Sequence, residues 1–288
     1  MASIISFISL TRKAYRLRIA LTCIRQLLGH ANTNVNLRDA SGRTPLDNAI
    51  AVGNTDAVQQ FLNHANTKIN DKDPSGNPPL HNAIRGTRTD VAELLINDPN
   101  IDVNNKDSSG RTPLHYATLT GNTAIAKILL NDAHVEPDIE DDSGRTPLHD
   151  ALSKGHIDIV KLLLSHAKTR VNRRDASGRT ALHCAALTGR TDTVRLLIND
   201  PNTDVNAKTL SKHTPLHDAI QGGHTGVAQL LIEHANTNVN AKNSGGHTPL
   251  DIAKSGGLPD VVQRFIYHKH IKLSHLRLQL PRDCEDEL

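Results

Sequence analysis

The hydrophobic positions of this chain recur at a fixed interval of 34 residues. In one copy, apolar residues fall at Leu148, Ala151 and Leu152, three and four positions apart. That spacing predicts a short helix with one buried face. The opening position of the copies lies at Thr44, Pro78, Thr112, Thr146, Thr180, Thr214 and Thr248. A strict period of this length predicts a stack of repeats, each burying its apolar face against its neighbours.

Polar and glycine positions bound two helices in each repeat. Thr146 suits the N-cap of the first helix because its hydroxyl can accept from free backbone N–H groups, and Pro147 needs no donor there. Gly155 suits the helix end, where the chain turns back through a left-handed conformation. An apolar stripe over residues 159–164 predicts a second helix. The Asp-x-Ser-Gly stretch at residues 175–178 predicts a tight turn before the next repeat.

The combined motifs carry a family resemblance. Thr-Pro-Leu-His, the glycine between two short helices, the Leu-Leu doublet, Val-Asn and Asp-x-x-Gly together resemble the ankyrin repeat family over roughly residues 37–265. The resemblance implies an all-α ankyrin-repeat solenoid of stacked antiparallel helix pairs, with projecting β-hairpin-like loops and a concave face. One extra residue precedes Val171, so we expect a slightly longer loop on that edge.

Three of the repeat joints depart from the pattern. Thr87 stands where the other repeats have the glycine between their helices, and Pro137 replaces the usual Val or Ile after the third repeat. Residues 209–212 lack both the Asp and the Gly of the turn. Because neighbouring repeats hold such arrays together, fraying should begin at a poor joint. We expect residues 209–213 to exchange backbone hydrogens faster than residues 175–179.

The two ends of the chain differ from the array. We expect residues 1–36 to form a degenerate, basic capping repeat, because the 34-residue register continues into them, and residues 266–288 to form a cap or tail. The alternative for residues 1–30, which are rich in Ser and Arg and lack acids, is a mitochondrial presequence. Three scattered cysteines and no glycosylation sequon favour a reducing, intracellular setting. The expected location is the cytoplasm, with the nucleus as an alternative.

Charge and hydropathy restrict the class of partner. The net charge of +3 divides into +6 for residues 1–38, zero for residues 266–288 and −3 for the stretch between. A nucleic-acid binder is expected to place positive charge on its folded face, often beside aromatic residues. Aromatic residues make up only 2% of this chain, and no apolar run approaches a membrane span. We therefore expect a monomer that binds a protein, with no nucleic acid and no membrane.

A column of histidines invites a metal or catalytic interpretation: His81, His115, His149, His183 and His217. Successive copies of one column should lie about 8–10 Å apart, the packing distance of helices. Two ligands of one zinc ion must each lie within about 2.1 Å of it, so the column cannot share a metal. The resemblance implies a structural role for these histidines, through backbone hydrogen bonds. No Ser–His–Asp, Cys–His or phosphate-loop pattern stands outside the repeats, and we expect no catalytic residue and no cofactor.

The remaining candidate is a protein-binding surface. The resemblance implies that partners bind to the loop tips and to the concave face of the first helices. By register, the candidate positions are Arg43, Arg85, Arg111, Tyr116, Leu119, Arg145, Asp150, Lys154, Arg179, Leu187, His213, Asp218 and Gln221. Arg111, Arg145 and Arg179 belong to consecutive repeats and would form a basic stripe suited to acidic segments. The alternative is that these arginines are solvated and simply copied with the repeat.

The function that these observations predict is a non-enzymatic scaffold for protein–protein interaction. The alternative is the substrate-recognition part of a larger assembly, such as an adaptor for ubiquitin ligation. No second recruitment motif outside the repeats supports that alternative. Fold alone does not name a partner, because one scaffold serves many functions.

Overall fold

The computed structural model describes residues 34–267, and these fold into successive pairs of short α-helices. The expected capping repeat (residues 1–36), the alternative presequence (residues 1–30) and the expected cap or tail (residues 266–288) lie outside the described residues, apart from residues 34–36 and 266–267. Residues 34–142 and 143–267 belong to two compact units that divide between Asp142 and Ser143. Each unit is a stack of helix pairs, which confirms the predicted all-α repeat fold.

The first helix of each pair follows the repeated Thr-Pro or its equivalent. These helices are α1 Pro45–Val52, α3 Pro79–Arg85, α5 Pro113–Thr120, α7 Pro147–Lys154, α9 Ala181–Leu187, α11 Pro215–Gln221 and α13 Pro249–Ser255. The second helices are α2 Thr55–Leu62, α4 Thr89–Ile96, α6 Thr123–Asn131, α8 Ile157–Ser165, α10 Thr191–Ile198 and α12 Thr225–Glu233. Residues 259–267 are also helical.

The start of each first helix is held by its N-cap residue and the residue three positions later. At α1, the backbone N–H and the hydroxyl of Thr44 both donate to Asp47 Oδ2, each over 2.9 Å. At α7, a histidine replaces the aspartate, and the N–H of Thr146 donates to His149 Nδ1 over 3.1 Å. Both pairs satisfy donors that a helix start leaves free. Pro78, at the start of α3, has no side-chain cap.

The end of the first helix requires a left-handed backbone. The predicted glycines all adopt positive φ, between +65° and +76°: Gly53, Gly121, Gly155, Gly189, Gly223 and Gly257. Glycine adopts this conformation without the steric penalty that a Cβ brings. Thr87 occupies the same column with φ +54°, so this repeat keeps the turn with a β-branched side chain.

The core is built from aliphatic side chains that meet between neighbouring helix pairs. In the second unit, α9 packs against both α7 and α11, and α10 packs against α8 and α12. Leu148, Leu152, Ile159, Leu163 and Leu182 are fully buried there. A buried Leu or Ile contributes roughly 1.5–3 kcal/mol relative to exposure. Each repeat therefore buries apolar side chains against its neighbours as well as within its own helix pair.

Tight turns join one helix pair to the next. Asp175 Oδ1 accepts from the N–H groups of Ser177 and Arg179, over 2.8 and 2.9 Å. Adjacent turns also pair directly, since Leu210 N–H donates to the Ser177 carbonyl over 3.1 Å. Between residues 34 and 267, one antiparallel bridge, Arg174 to Thr180, is the extent of β pairing. The projecting loops are thus turns rather than extended hairpins.

Candidate functional site

The recurrent histidines use their rings to bind backbone groups. In His149, Nδ1 accepts from the Thr146 N–H, so the ring proton lies on Nε2, which donates to the Arg179 carbonyl over 3.1 Å. The same link to the carbonyl thirty residues later is made by His81 (2.8 Å), His183 (3.1 Å) and His217 (3.2 Å). These four imidazoles therefore connect successive repeats.

His81 differs from the other histidines of the column at Nδ1. His115 Nδ1 accepts from the Thr112 N–H over 3.1 Å, as in the other capped helices. His81 Nδ1 has no such bond within residues 34–267, because the residue three positions earlier is Pro78, which has no N–H. The hydrogen bond of the His81 ring is the one from Nε2 to the Arg111 carbonyl.

Burial disfavours protonation of four histidines of the column. It lowers the pKa of both His81 and His183 to about 4, and it lowers the pKa of His149 and His217 as well. The charged ring would have to leave water, which disfavours protonation. Cys184 is also buried, and burial raises the pKa of its thiol, so thiolate chemistry there is disfavoured. Over residues 34–267, no group of three or more His, Cys, Asp or Glu side chains is arranged to hold a metal ion.

The predicted arginine stripe is held by carboxylates of the protein itself. Arg145 Nη2 lies 2.8 Å from Asp150 Oδ1, and its Nε donates to the same oxygen over 3.0 Å. Arg179 Nε lies 3.0 Å from Asp175 Oδ2. Arg111, in the first unit, has Nε 3.8 Å from Asp141 Oδ2. These guanidinium groups remain at the surface, but part of their charge is already neutralised.

Two predicted contact residues lie beneath that surface. Asp150 is only 4% exposed and Asp218 only 5%, so Arg145 and His213 cover them. His213 Nδ1 lies 3.3 Å from Asp218 Oδ1, at the position that Arg145 occupies in an earlier repeat. Burial raises the pKa of Asp218 to about 6. A partner would meet Asp150 and Asp218 mainly through the basic residue above each of them.

The other candidates divide by exposure. Arg43, Arg85, Lys154, Leu187 and Gln221 are exposed on turns and first helices, and Leu119 is half-buried. Tyr116 is half-buried, its hydroxyl donates to Asp107 Oδ2 over 2.8 Å, and its ring meets His81 edge-on at 5.4 Å. Arg111 belongs to the first unit, and Arg145 and Arg179 belong to the second. The continuous stripe of all three therefore stays a prediction.

A second set of exposed cations was not among the site residues predicted from the sequence. Arg174, Lys208 and Lys242 also lie 34 residues apart, and Lys212 stands in the same turn as Lys208. All four are exposed, as is Leu210 beside them. Counting the same interval from the start of each turn would have identified this column.

No helix in residues 34–267 has the length and apolar character needed to cross a membrane. Taken with the contacts above, the described residues contain two kinds of polar side chain. Buried ones link the repeats, and exposed ones on turns and first helices vary between repeats.

Comparison with known proteins identifies the same kind of repeat along the chain. The family model for ankyrin repeats matches residues 14–107, 49–141, 99–175, 133–209 and 202–275. Among solved structures, the ankyrin repeat domain of Bcl-3, a unique member of the IkappaB protein family, is similar with a TM-score of 0.70 and 26% identity, covering 78% of this chain and 98% of that chain. The ankyrin repeat protein EF0377 is similar with a TM-score of 0.62 and 28% identity, covering 69% of this chain and 100% of that chain. Among curated proteins, none matches significantly.

Proposed function

The chain belongs to the ankyrin repeat family, and we propose that it is a non-enzymatic scaffold that binds a protein partner through its turns and the exposed face of its first helices. Ankyrin repeats are in general modules for protein–protein interaction. One observation carries the proposal for this chain. The side chains that recur, such as His149 and Thr146, are buried and bonded, whereas those exposed on first helices differ between repeats.

That division supports binding over catalysis. A catalytic histidine needs a pKa near the working pH and a substrate within reach. His183 has its pKa lowered to about 4, is fully buried, and already donates to a backbone carbonyl. Exposed and varied positions such as Arg85, Lys154 and Gln221 instead provide a surface that can discriminate between protein partners.

The test compares two triple variants with the same change of charge. The first is Arg43→Glu, Arg85→Glu and Lys154→Glu, on turns and first helices. The control is Lys127→Glu, Lys161→Glu and Arg195→Glu, three exposed residues at one column of the second helices. The arginines that hold Asp141, Asp150 and Asp175 are left unchanged, because their loss would take an ionic partner away from a buried carboxylate.

Affinity capture from cell lysate with quantitative mass spectrometry then gives the outcome. We expect the first variant to lose specific partners that the wild-type chain and the control both retain. Identical partners for all three chains would contradict the proposed surface. Ubiquitin-ligase subunits that remain bound to every variant would favour the adaptor alternative.

A further inference from the structure

Within residues 34–267, positive charge is concentrated in the second unit. Residues 34–142 contain nine Lys and Arg against sixteen Asp and Glu, a net charge of −7, whereas residues 143–267 contain fifteen against ten, a net charge of +5. The overall balance of the array hides this difference. Because charge of one sign attracts and steers oppositely charged partners, a polyanionic partner should prefer the second unit.

The excess is strongest in three consecutive turns, at residues 173–179, 207–213 and 241–247. Their only acid is Asp175, which is 7% exposed and already held by Arg179. Thr209 and Asn243 stand where the earlier turns have an aspartate. The basic residues of the three turns are Arg173, Arg174, Arg179, Lys208, Lys212 and Lys242.

The three turns form one continuous edge. Leu210 N–H donates to the Ser177 carbonyl over 3.1 Å, and Ser244 N–H donates to the Ser211 carbonyl over 3.0 Å. The Arg174 guanidinium donates to the Gly178 carbonyl over 3.2 Å and also to the Lys208 carbonyl. Carbonyls carry no net charge, so these bonds orient Arg174 and leave its positive charge unbalanced.

The lysines on this edge are available to a partner. Lys208, Lys212 and Lys242 are exposed, and among residues 34–267 none of them has an ion-pair partner. By contrast, the arginines that hold Asp150 and Asp175 each form an ion pair. Between Lys208 and Lys212 stands Leu210, whose surface is 77% exposed. An exposed apolar residue bordered by cations suits a ligand with both carboxylates and an apolar group.

We propose that the edge formed by these turns binds an acidic protein segment that carries an apolar side chain among its carboxylates. This basic edge consists of Leu210 and four exposed cations of the same three turns, Arg174, Lys208, Lys212 and Lys242. The inference rests on the proposed function, because it names one site of that scaffold and the chemistry of its partner.

A protein segment fits this edge better than a nucleic acid does. The three turns contain no aromatic residue on which a base could stack. Leu210 would contribute little against a phosphate backbone, whereas it can pack on an apolar side chain of a peptide. Lys208 and Lys212 flank Leu210 in the sequence, so a peptide with carboxylates on either side of one apolar residue offers each lysine a partner of opposite charge.

The test measures binding of a fluorescein-labelled synthetic peptide in which Asp and Glu flank one central Leu, by fluorescence anisotropy. We expect saturable binding that weakens as salt is added. The double variant Lys208→Glu and Lys242→Glu should bind at least about tenfold more weakly, since each lost contact also becomes a repulsion. The control, Lys161→Glu and Arg195→Glu, removes the same charge from exposed second-helix positions and should change affinity less than about twofold.

A further variant separates binding from folding. Lys212 has φ +58°, in a column where Gly178 and Gly246 have φ +75° and +78°, so Lys212→Gly removes a charge and relieves the backbone. It should weaken peptide binding while raising stability to urea. Leu210→Ser should weaken binding of the Leu peptide but leave binding of a peptide with Gly in place of Leu unchanged.

Three results would overturn the inference: equal loss of affinity in the control, no binding of the peptide, or tighter binding of an oligothymidylate or of anionic vesicles. If the peptide fails to bind but the turn and first-helix variant still loses its captured partners, this inference fails and the proposed function stands. If that variant also keeps every partner, the proposed function fails as well.

Discussion

Replacing Thr87 by glycine should stabilise the protein. Thr87 has φ +54° in a column where glycine is otherwise present, and a side chain in this conformation costs roughly 1–2 kcal/mol. Glycine gives back about 0.5–1 kcal/mol of that gain, because it has more freedom in the unfolded chain. The Thr87 hydroxyl donates only to the Gly86 carbonyl at an exposed position, where water can replace it. We expect a net gain of about 1 kcal/mol.

The chain provides a matched control at Gly223, which occupies the same column with φ +71°. A Cβ built there meets nothing within 4 Å, so Gly223→Thr tests the backbone conformation without a steric clash. The Gly223→Thr variant should lose about as much free energy of unfolding as the Thr87→Gly variant gains.

The assay is urea unfolding followed by circular dichroism, with native-state hydrogen exchange of the α3 and α4 amides. Exchange is needed because repeat arrays can unfold in parts, and a single midpoint then averages over them. A Thr87→Gly protein no more stable than wild type, beside a destabilised Gly223→Thr protein, would refute the reasoning for Thr87.

Two further predictions follow from the buried histidines and the irregular turn. In the folded protein, His81 and His183 have pKa values of about 4, below the ordinary 6.5, so the unfolded chain binds protons at these residues first as the pH falls. The stabilisation should therefore be complete above about pH 6.5 and decrease towards pH 4, by up to about 3 kcal/mol for each residue. Urea midpoints that stay constant between pH 7.5 and 4.5 would contradict this. Residues 209–213 should exchange amide hydrogens faster than residues 175–179, because Thr209 lacks the carboxylate with which Asp175 binds two backbone N–H groups. Equal protection of the two turns, measured by hydrogen exchange with mass spectrometry, would contradict this prediction.

Much of the fold was predictable because its signals are local. A threonine before a proline caps a helix wherever the chain places it, and a glycine reverses the chain at Gly155 as it does at Gly223. The 34-residue interval then aligns every copy, so one interpreted repeat predicts the others. The same interval excluded a shared metal site for the histidines, since copies of one column are separated by a helix-packing distance.

The candidate surface was less predictable because it depends on which side chains meet. Register places Arg145 and Lys154 equally well on a binding face, but only the structure pairs Arg145 with Asp150 and leaves Lys154 exposed. Likewise, the net charge of the array hides the opposite charges of its two units. The sequence alone determined the repeat, its helices and its turns, because these follow from short-range propensities. The tertiary structure decided which charges are neutralised and which face solvent, because a charge is balanced only by a partner within a few ångströms, and that distance is set by packing.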